Sequence, residues 1–268
     1  KNLPTYQALK ELLPLVKNYA NRSLTILPKI QRGGRVSSLN AGLSRAQGEV
    51  FFALDGDTSF DNRMVSSAVS HFGNPNTVAV TGPMRVRNAK STLVTRLQNL
   101  EYMLTMQVGK LGFTQLSAIN NVPGAFGVFR KSFIQKIGGW NTGTAEDLDM
   151  TLRIKQYHVR YPELKFVFEP NAVSHTDVPE SLFDFLKQRL RWDGDTWYIY
   201  SNKHKSGITA SVMGWKNFIF LLWYGVLFQV IMPFSIVIYT FYMAVMIPTH
   251  IFLLSMVLVY VFYFLLVS

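Results

Sequence analysis

The C-terminal quarter of the chain carries almost no charge, and this constrains the fold more than any other feature. From Gly207 to Ser268 the only formally charged residue is Lys216. Phe218–Val245 is apolar apart from one glutamine and a few hydroxyl groups, and Ile251–Val267 is apolar again. A helix that spans a bilayer needs about 20 such residues. The pattern predicts two transmembrane helices within 218–268, joined by a tight turn; two buried core helices are the alternative, which the uninterrupted lack of charge disfavours.

The residues before this tail have an ordinary globular composition with a basic balance. The chain has 27 Lys and Arg against 16 Asp and Glu, a formal charge of +11. The basic residues that gather before the tail are Lys187, Arg189, Arg191, Lys203, Lys205 and Lys216. An excess of Lys and Arg beside a span marks its cytoplasmic side. We therefore expect a cytoplasmic domain over 1–200, an interfacial segment over 201–217 and multi-pass anchorage in the plasma (inner) membrane, with no nucleic-acid partner.

Composition and termini narrow the class of protein further. Hydrophobic residues make up 49% of the chain, which excludes a disordered protein. Cysteine is absent, which excludes a disulfide scaffold and a zinc site built on thiolates. The chain begins at Lys1 without Met, has no signal peptide pattern at this end, and ends inside an apolar run. We expect it to be a piece of a longer protein.

Strand and helix patterns alternate along the first 200 residues. Short β-type runs are predicted at Ser23–Ile30, Glu49–Leu54, Thr77–Thr81 and Lys165–Phe168. Helical spacing of apolar residues is predicted at Thr5–Asn18, Ser37–Ala46, Ser91–Leu111 and Glu180–Trp192. Such alternation predicts an α/β fold with a mainly parallel sheet and helices on both faces. Ligands of such sheets bind at the carboxyl ends of the strands.

An acidic pair, Asp55-Gly56-Asp57, directly follows the second predicted strand. Two carboxylates at this spacing, with a glycine between them that permits a tight turn, are suited to hold Mg²⁺ or Mn²⁺ bridged to phosphates. A solvated turn is the alternative, because Asp and Gly are turn residues. A phosphohydrolase nucleophile motif fits poorly, because it needs a threonine two places after the second Asp, where this chain has Ser59, and Thr58 follows Asp57 directly.

Two further polar groups occur later in the chain. Glu146-Asp147 follows a glycine-rich turn and opens a predicted helix, where capping alone would also explain acidic residues. Gln188, Arg191 and Trp192 share one face of the Glu180–Trp192 helix. There, Arg offers a bidentate clamp for phosphate and Trp a flat face for a sugar ring. An amphipathic helix on a membrane surface is the alternative.

Taken in order, these groups resemble the motifs of the membrane-embedded family 2 glycosyltransferases, which include the cellulose, chitin, hyaluronan and poly-N-acetylglucosamine synthases. The family pattern is Asp-x-Asp, then Thr-Glu-Asp, then Gln-x-x-Arg-Trp, then transmembrane helices. The chain has Asp55-x-Asp57, Ala145-Glu146-Asp147 and Gln188-x-x-Arg191-Trp192, and then its apolar tail. Leu39-Asn40-Ala41-Gly42 and Pro123-Gly124-Ala125-Phe126-Gly127 match further family segments. The resemblance covers nearly the whole chain and implies a GT-A (Rossmann-like) domain.

The resemblance also implies roles for single residues. Asp147 would be the general base that deprotonates the acceptor hydroxyl in an inverting transfer. Asp55 and Asp57 would hold Mg²⁺ or Mn²⁺ on the diphosphate of a UDP-sugar, UDP-GlcNAc or UDP-Glc. The residues implied in diphosphate binding are Arg35, Gln188 and Arg191, and those implied in acceptor binding are Gly124, Ala125, Glu146 and Trp192. The implied partners are the donor, a growing β-linked polysaccharide, the lipid bilayer and an accessory membrane subunit.

The chain departs from the family pattern in three respects. Gly34-Arg35-Val36 replaces a Gly-Lys-Ala, and Ala145 replaces the Thr of the acidic motif. The family's first strands, with part of the donor pocket, and its leading transmembrane helices would precede Lys1. Two other functions stay open: a non-processive transferase acting on a membrane lipid, and a non-catalytic membrane partner that retains the fold. Intact Asp57, Asp147 and Arg191 argue against the second.

Overall fold

The computed structural model describes residues 3–31, 33–115, 119 and 121–267, which form an α/β domain followed by long apolar helices. The strands are β1 Val50–Leu54, β2 Ser59–Phe60, β3 Thr77–Thr81, β4 Met84–Val86, β5 Phe126–Arg130, β6 Lys165–Phe168 and β7 Ser174–Thr176. The helices of the domain are α1 Leu3–Val16, α2 Gly34–Arg45, α3 Met64–Ser70, α4 Leu93–Tyr102, α5 Lys110–Gln115, α6 Lys131–Lys136, α7 Glu146–Lys155 and α8 Leu182–Tyr198. They are followed by α9 Ala210–Met213, α10 Trp215–Phe220, α11 Met232–Met246 and α12 Thr249–Val267, and π-helical turns occupy Met103–Gly109, Ile199–Lys203 and Leu221–Ile231.

The main sheet is mixed, which corrects the prediction of a mainly parallel sheet. Its order is β1-β5-β3-β6, and β5 runs antiparallel to both of its neighbours, whereas β3 and β6 are parallel. The sequence analysis did not predict β5, which is a short run with a glycine inside it. Because β5 is antiparallel, it begins at the edge where β1 and β3 end. The loop before β5 therefore reaches the same edge as the acidic pair after β1.

Helices cover both faces of the sheet, as predicted. Ala79 and Phe129 belong to one hydrophobic cluster, and their strand neighbours Val80 and Val128 belong to another. This alternation is what a two-sided sheet requires, since successive side chains point to opposite faces. The first cluster includes side chains of α2, α6 and α7, and the second includes side chains of α3. Helix α7, which bears the predicted base, is thus packed on the sheet.

The strand predicted at Ser23–Ile30 is wrong. Residues 22–29 have no regular secondary structure, and Ile30 is fully exposed. Within the described part of the chain no strand pairs with this segment, and an unpaired apolar run has no ladder to stabilise it as a strand. Residues 22–31 are exposed or half-buried, and α2 begins at Gly34.

One helix of the described residues is long and apolar enough to cross a membrane. It runs over Trp215–Met246, 32 residues, and only 12% of its most apolar window is buried, unlike a core helix. The second predicted span coincides with α12, of which Thr249–Phe262 forms a shorter apolar helix. The prediction of a second transmembrane helix therefore stays a prediction.

Candidate active site

Two loops meet at one edge of the main sheet. Asp55 directly follows β1, and Gly124 and Ala125 directly precede β5. Leu54 and Phe126 are register partners, and the Asp55 backbone N–H donates to the Ala125 carbonyl at 3.4 Å. The antiparallel pairing of β1 and β5 therefore brings a predicted metal ligand beside two predicted acceptor-binding residues.

Arg35 connects three elements at this edge. Its guanidinium forms an ion pair with Asp55, lies 2.6 Å (Nε to Oε1) from Glu146, and donates from Nη2 to the Gly124 carbonyl oxygen. Arg35 belongs to the first turn of α2, far from its partners in sequence. A guanidinium presents several N–H donors in one plane, so it can contact groups from three directions. The compact ammonium group of a lysine does this less well.

The Asp147 carboxylate lies next to this arginine network and is oriented by three donors. Its Oδ2 accepts from the Gly124 N–H at 3.0 Å and from Asn121 Nδ2 at 3.1 Å, and its Oδ1 accepts from the Leu148 N–H at 2.8 Å. Arg35, Asp55, Gly124, Glu146 and Asp147 are called the Asp147 cluster below. The cluster combines residues from α2, α7 and the loops that flank β1 and β5.

Gly124 is the residue that allows this close approach. A Cβ atom at this position would lie 3.0 Å from Glu146 Oε1 and 3.1 Å from Arg35 Nη2. Real Cβ atoms rarely come so close to a neighbour, so any side chain here would push the arginine or the glutamate aside. The absence of a side chain at Gly124 thus permits the packing of the site. Its backbone N–H donates to Asp147 and its carbonyl oxygen accepts from Arg35.

Burial and neighbouring charge shift two ionisable groups near Asp147. Burial raises the pKa of the Glu146 carboxyl, and the negative charge of Asp147 raises it further. Lys110, at the start of α5, is 8% exposed, and burial lowers its pKa to about 7 although the Asp147 charge opposes that shift. Sequence reasoning did not single out Lys110 or Asn121, because neither stands in a recognisable motif.

Asp57 stands apart from the cluster on an exposed turn. Its carboxylate has Thr58 Oγ1 at 3.5 Å and takes no ion pair from any described residue. Its backbone is held instead: Arg87 Nη2 donates to the Asp57 carbonyl oxygen at 2.9 Å while the same guanidinium pairs with Asp177 at 2.6 Å. Arg87, which lies just after β4, was missed by the sequence analysis because its partners come from two segments that are far from it in sequence.

Gln188, Arg191 and Trp192, called the α8 face below, are placed by the structure on helix α8 and not in the Asp147 cluster. Over the described ranges, no hydrogen bond or ion pair joins them to Asp55, Asp57 or Asp147. Arg191 is exposed, and Trp192 has the Arg189 guanidinium 4.7 Å from its ring centroid.

Helix α8 is nevertheless tied to the loop that precedes α7. Asp195, one turn beyond Arg191, accepts a hydrogen bond from the Thr144 hydroxyl. Ala145, which follows Thr144, has a left-handed backbone with φ of +44°, a conformation that residues other than glycine rarely adopt without strain. This strained residue directly precedes Glu146 and Asp147, so the acidic pair sits at a sharply bent entry to α7.

The described residues contain no group of three or more His, Asp and Glu side chains arranged as a metal site. Two carboxylates directly follow β1, those of Asp55 and Asp57. Mg²⁺ is commonly held by one or two carboxylates together with substrate phosphates, so this donor set fits such an ion when a diphosphate is bound beside it.

Comparison with known proteins places the chain among glycosyltransferases. Residues 50–267 match the family described as Glycosyl transferase family group 2. The chain is 33% identical over 163 residues to the poly-beta-1,6-N-acetyl-D-glucosamine synthase of Staphylococcus epidermidis, which covers 59% of this chain and 38% of that protein. It is 31% identical over 186 residues to the synthase of the same name from Staphylococcus aureus, over 68% of this chain and 43% of that protein.

The chain therefore spans less than half the length of these curated relatives. A mannosyltransferase from Pyrobaculum calidifontis, solved in complex with GDP-Man and Mn²⁺, superposes with a TM-score of 0.58 at 18% identity, over 76% of this chain and 52% of that one. At this identity the likeness concerns the fold. It supports the GT-A architecture predicted from the sequence.

Proposed function

This chain belongs to glycosyl transferase family group 2, and on that premise we propose that the Asp147 cluster transfers a sugar from a UDP-sugar to the growing end of a β-linked polysaccharide. The observation that carries the proposal is the convergence of Arg35, Asp55, Gly124 and the Glu146-Asp147 pair at one edge of the sheet. The similarity to poly-beta-1,6-N-acetyl-D-glucosamine synthases favours UDP-GlcNAc over UDP-Glc as the donor.

Asp147 is proposed as the general base. An inverting transfer needs one base: the acceptor hydroxyl attacks the anomeric carbon, its proton passes to the carboxylate, and the bond from that carbon to the diphosphate oxygen breaks. The Gly124 and Leu148 N–H groups and Asn121 hold the carboxylate in one orientation. Such preorganisation lowers the cost of bringing base and hydroxyl together.

Asp55 and Asp57 are proposed to hold Mg²⁺ or Mn²⁺ on the donor diphosphate. Asp57 is exposed and has no ion pair within the described residues, so its carboxylate is available to a ligand. When bound, the ion supplies a Lewis acid that neutralises charge on the leaving diphosphate. Arg35, which already contacts Asp55, adds a second positive charge at the same place, where preorganised electrostatics contribute most to catalysis.

The α8 face is proposed to complete the binding site. Gln188 has a buried Oε1 that no described residue satisfies, and buried polar atoms of this kind are rare unless a ligand or water partners them. Arg191 is exposed and suited to a bidentate contact with the diphosphate. Trp192 offers its ring to the acceptor sugar, and Ala125 and Glu146 border the acceptor side of the cluster.

The apolar C-terminal helices are proposed to anchor this domain and to couple synthesis to translocation. In this arrangement 1–200 is a cytoplasmic GT-A domain, 201–217 an interfacial segment and 218–268 two spans of a multi-pass protein in the plasma (inner) membrane. The long helix Trp215–Met246 and its low burial support the first span. An accessory membrane subunit is an expected partner; nucleic acid is not.

The test is an assay in membrane vesicles from cells that express the full-length protein. A panel of UDP-sugars is supplied with Mg²⁺ or Mn²⁺, UDP release is measured and the product is sized, with Asp147→Asn alongside. Metal-dependent release that Asp147→Asn abolishes, with a long product, supports the proposal and identifies the sugar. A product with one sugar on a lipid would instead establish the lipid transferase, and absence of turnover with every donor would count against both.

A further inference from the structure

A buried polar group lies on the side of α7 that faces away from the active site. Asp147 and Asp149 are two residues apart on this helix, a rotation of about 200°, so their side chains leave it on opposite sides. The Asp149 side chain is completely buried, and its Oδ1 accepts from His204 Nε2 at 2.7 Å and from Lys203 Nζ at 2.8 Å. Arg153 Nη1 lies 3.6 Å from Oδ2 of the same carboxylate.

The hydrogen bonds of His204 fix its ring from both sides. Its Nδ1 lies 3.0 Å from the Gln156 side-chain Nε2, which is an amide donor. Its Nε2 faces the Asp149 carboxylate at 2.7 Å, so both ring nitrogens have a polar partner and the ring is held in one orientation. Burial alone would raise the pKa of Asp149, but the hydrogen bonds from His204 and Lys203 outweigh burial and hold that pKa below its usual range. The carboxylate is thus an ionised acceptor between two bound donors.

These contacts attach α7 to the segment between α8 and the long apolar helix. Lys203 is the last residue of the π-helical turn Ile199–Lys203 that continues α8, and His204 follows it. Lys203 also donates to Asn141 Oδ1 at 2.6 Å, in the loop that leads to Glu146. A hydrophobic cluster joins α7 to the same segment and reaches the long helix; its buried members are Leu148, Leu152, Ile199, Met213 and Leu221.

We propose that Asp149 and His204 form a positioning joint that fixes α7, and with it the Asp147 carboxylate, to the segment entering the long apolar helix. The proposal rests on the proposed role of Asp147 as base. Asp147 makes its own contacts to Gly124 and Asn121, so a shift of α7 on its buried side changes the distance from Oδ2 to the Gly124 N–H. Through this joint, the position of the Asp147 carboxylate depends on the position of the segment that contains Lys203 and His204.

The chain offers a matched control for this joint. His71 and Glu169 form a second histidine–carboxylate pair, with Nε2 and Oε2 separated by 2.6 Å, and neither residue lies on α7 or α8. His71→Leu removes the same kind of bond as His204→Leu. His204→Gln keeps an amide donor toward Asp149 and is the conservative variant. If His204→Leu fails to accumulate in membranes, the variant Lys203→Met is used instead, because it removes the other donor to Asp149 Oδ1.

The experiment measures amide hydrogen exchange and steady-state kinetics on the full-length protein in membranes. We expect His204→Leu to speed exchange of the Gly124 amide at least about tenfold, because local opening frees a protected N–H. We expect it to lower kcat by about tenfold to a hundredfold with the donor KM within about twofold, since small displacements of a catalytic group are costly. His204→Gln should restore most of both, and His71→Leu should change neither.

Equal effects of His204→Leu and His71→Leu on Gly124 exchange would overturn the proposal, as would unchanged exchange in His204→Leu. A donor KM that rises in step with the loss of kcat would also overturn it, because that pattern reports a general loosening of the domain. If the wild-type protein releases no UDP from any donor, the proposed function fails, and the exchange measurement still decides whether the joint positions Asp147.

Discussion

The Asp147 cluster and the α8 face each contain an arginine, but the polar side chains of the two regions differ in how far described neighbours partner them. In the cluster, Arg35 contacts three elements and the Asp147 carboxylate accepts from three donors. On the α8 face, Gln188 keeps a buried oxygen that no described residue partners, and Arg191 is exposed. This difference is what we expect if the cluster is preorganised for the proposed transfer and the α8 face takes its remaining polar contacts from a bound ligand.

Asp57 resembles the α8 face more than the Asp147 cluster. Arg87 holds its backbone, but no described residue forms an ion pair with its carboxylate. We expect Asp57→Asn to lower transfer by about a thousandfold, because a metal ligand worth several kcal/mol is weakened. The check is UDP release as a function of Mn²⁺ concentration, where raised Mn²⁺ should recover part of the activity. Exposed Glu163→Gln is the control, and loss of activity that Mn²⁺ never changes would exclude a metal role for Asp57.

Arg191→Ala tests whether the α8 face binds the donor. Losing a charge-assisted contact to a diphosphate removes about 1.5–3 kcal/mol, so the donor KM should rise about tenfold to a hundredfold. Arg191→Lys should lie between this variant and the wild type, because a lysine keeps the charge without the bidentate geometry. Lys187→Ala changes an exposed cation one turn earlier on the same helix and should leave KM unchanged. An equal rise in both variants would reduce the effect to general surface charge.

Gly124→Ala tests the packing of the cluster itself. The added methyl group meets Glu146 Oε1 at 3.0 Å and Arg35 Nη2 at 3.1 Å, and both side chains must move. We expect kcat to fall about tenfold, because even a small displacement of groups that take part in the reaction slows it. Gly73→Ala is the matched control because a Cβ there meets nothing within 4 Å. Steady-state kinetics of both variants make the comparison, and a similar kcat for the two would show that the cluster tolerates displacement.

The smallest expected effect concerns Lys110, which is buried near Asp147. Its titration should make the stability of the protein depend on pH. Burial lowers its folded-state pKa to about 7 from 10.5, so between these values the unfolded chain binds a proton that the folded chain lacks. The free energy of unfolding therefore rises as pH rises from about 7 toward 10.5. Lys110→Met should reduce this rise and shift Tm at pH 7 upward by a few degrees.

The measurement is Tm against pH for the protein in detergent. Buried Lys155 has its pKa lowered to about 7 by the same cause, so part of the slope should persist in Lys110→Met. An unchanged slope in the variant would mean that Lys110 does not titrate in this range.

Much of the site could be predicted because its members stand in short motifs with a fixed order. The motifs include Arg35, Asp55, Gly124 and the Glu146-Asp147 pair, which the structure brings together, and the GT-A architecture is confirmed. The roles of these residues, of Asp57 and of the α8 face stay predictions. Asn121 and Arg87 were missed because their contacts join segments that are distant in sequence, and Lys110 because its burial depends on the fold; no local pattern records either property. The strand β5 and its antiparallel direction were missed for a related reason, since a run of five residues with a glycine inside it shows neither until its pairing partner is known.

We propose that Asp147 removes the proton from the acceptor and does not hold the donor. UDP-sugar binding and sugar transfer are measured in the same membranes for the wild type and Asp147→Asn, with Mn²⁺ present. We expect binding in the variant to stay within about twofold of the wild type, while transfer falls by about a thousandfold or more. Transfer within tenfold of the wild type, or loss of binding that matches the loss of transfer, would contradict it.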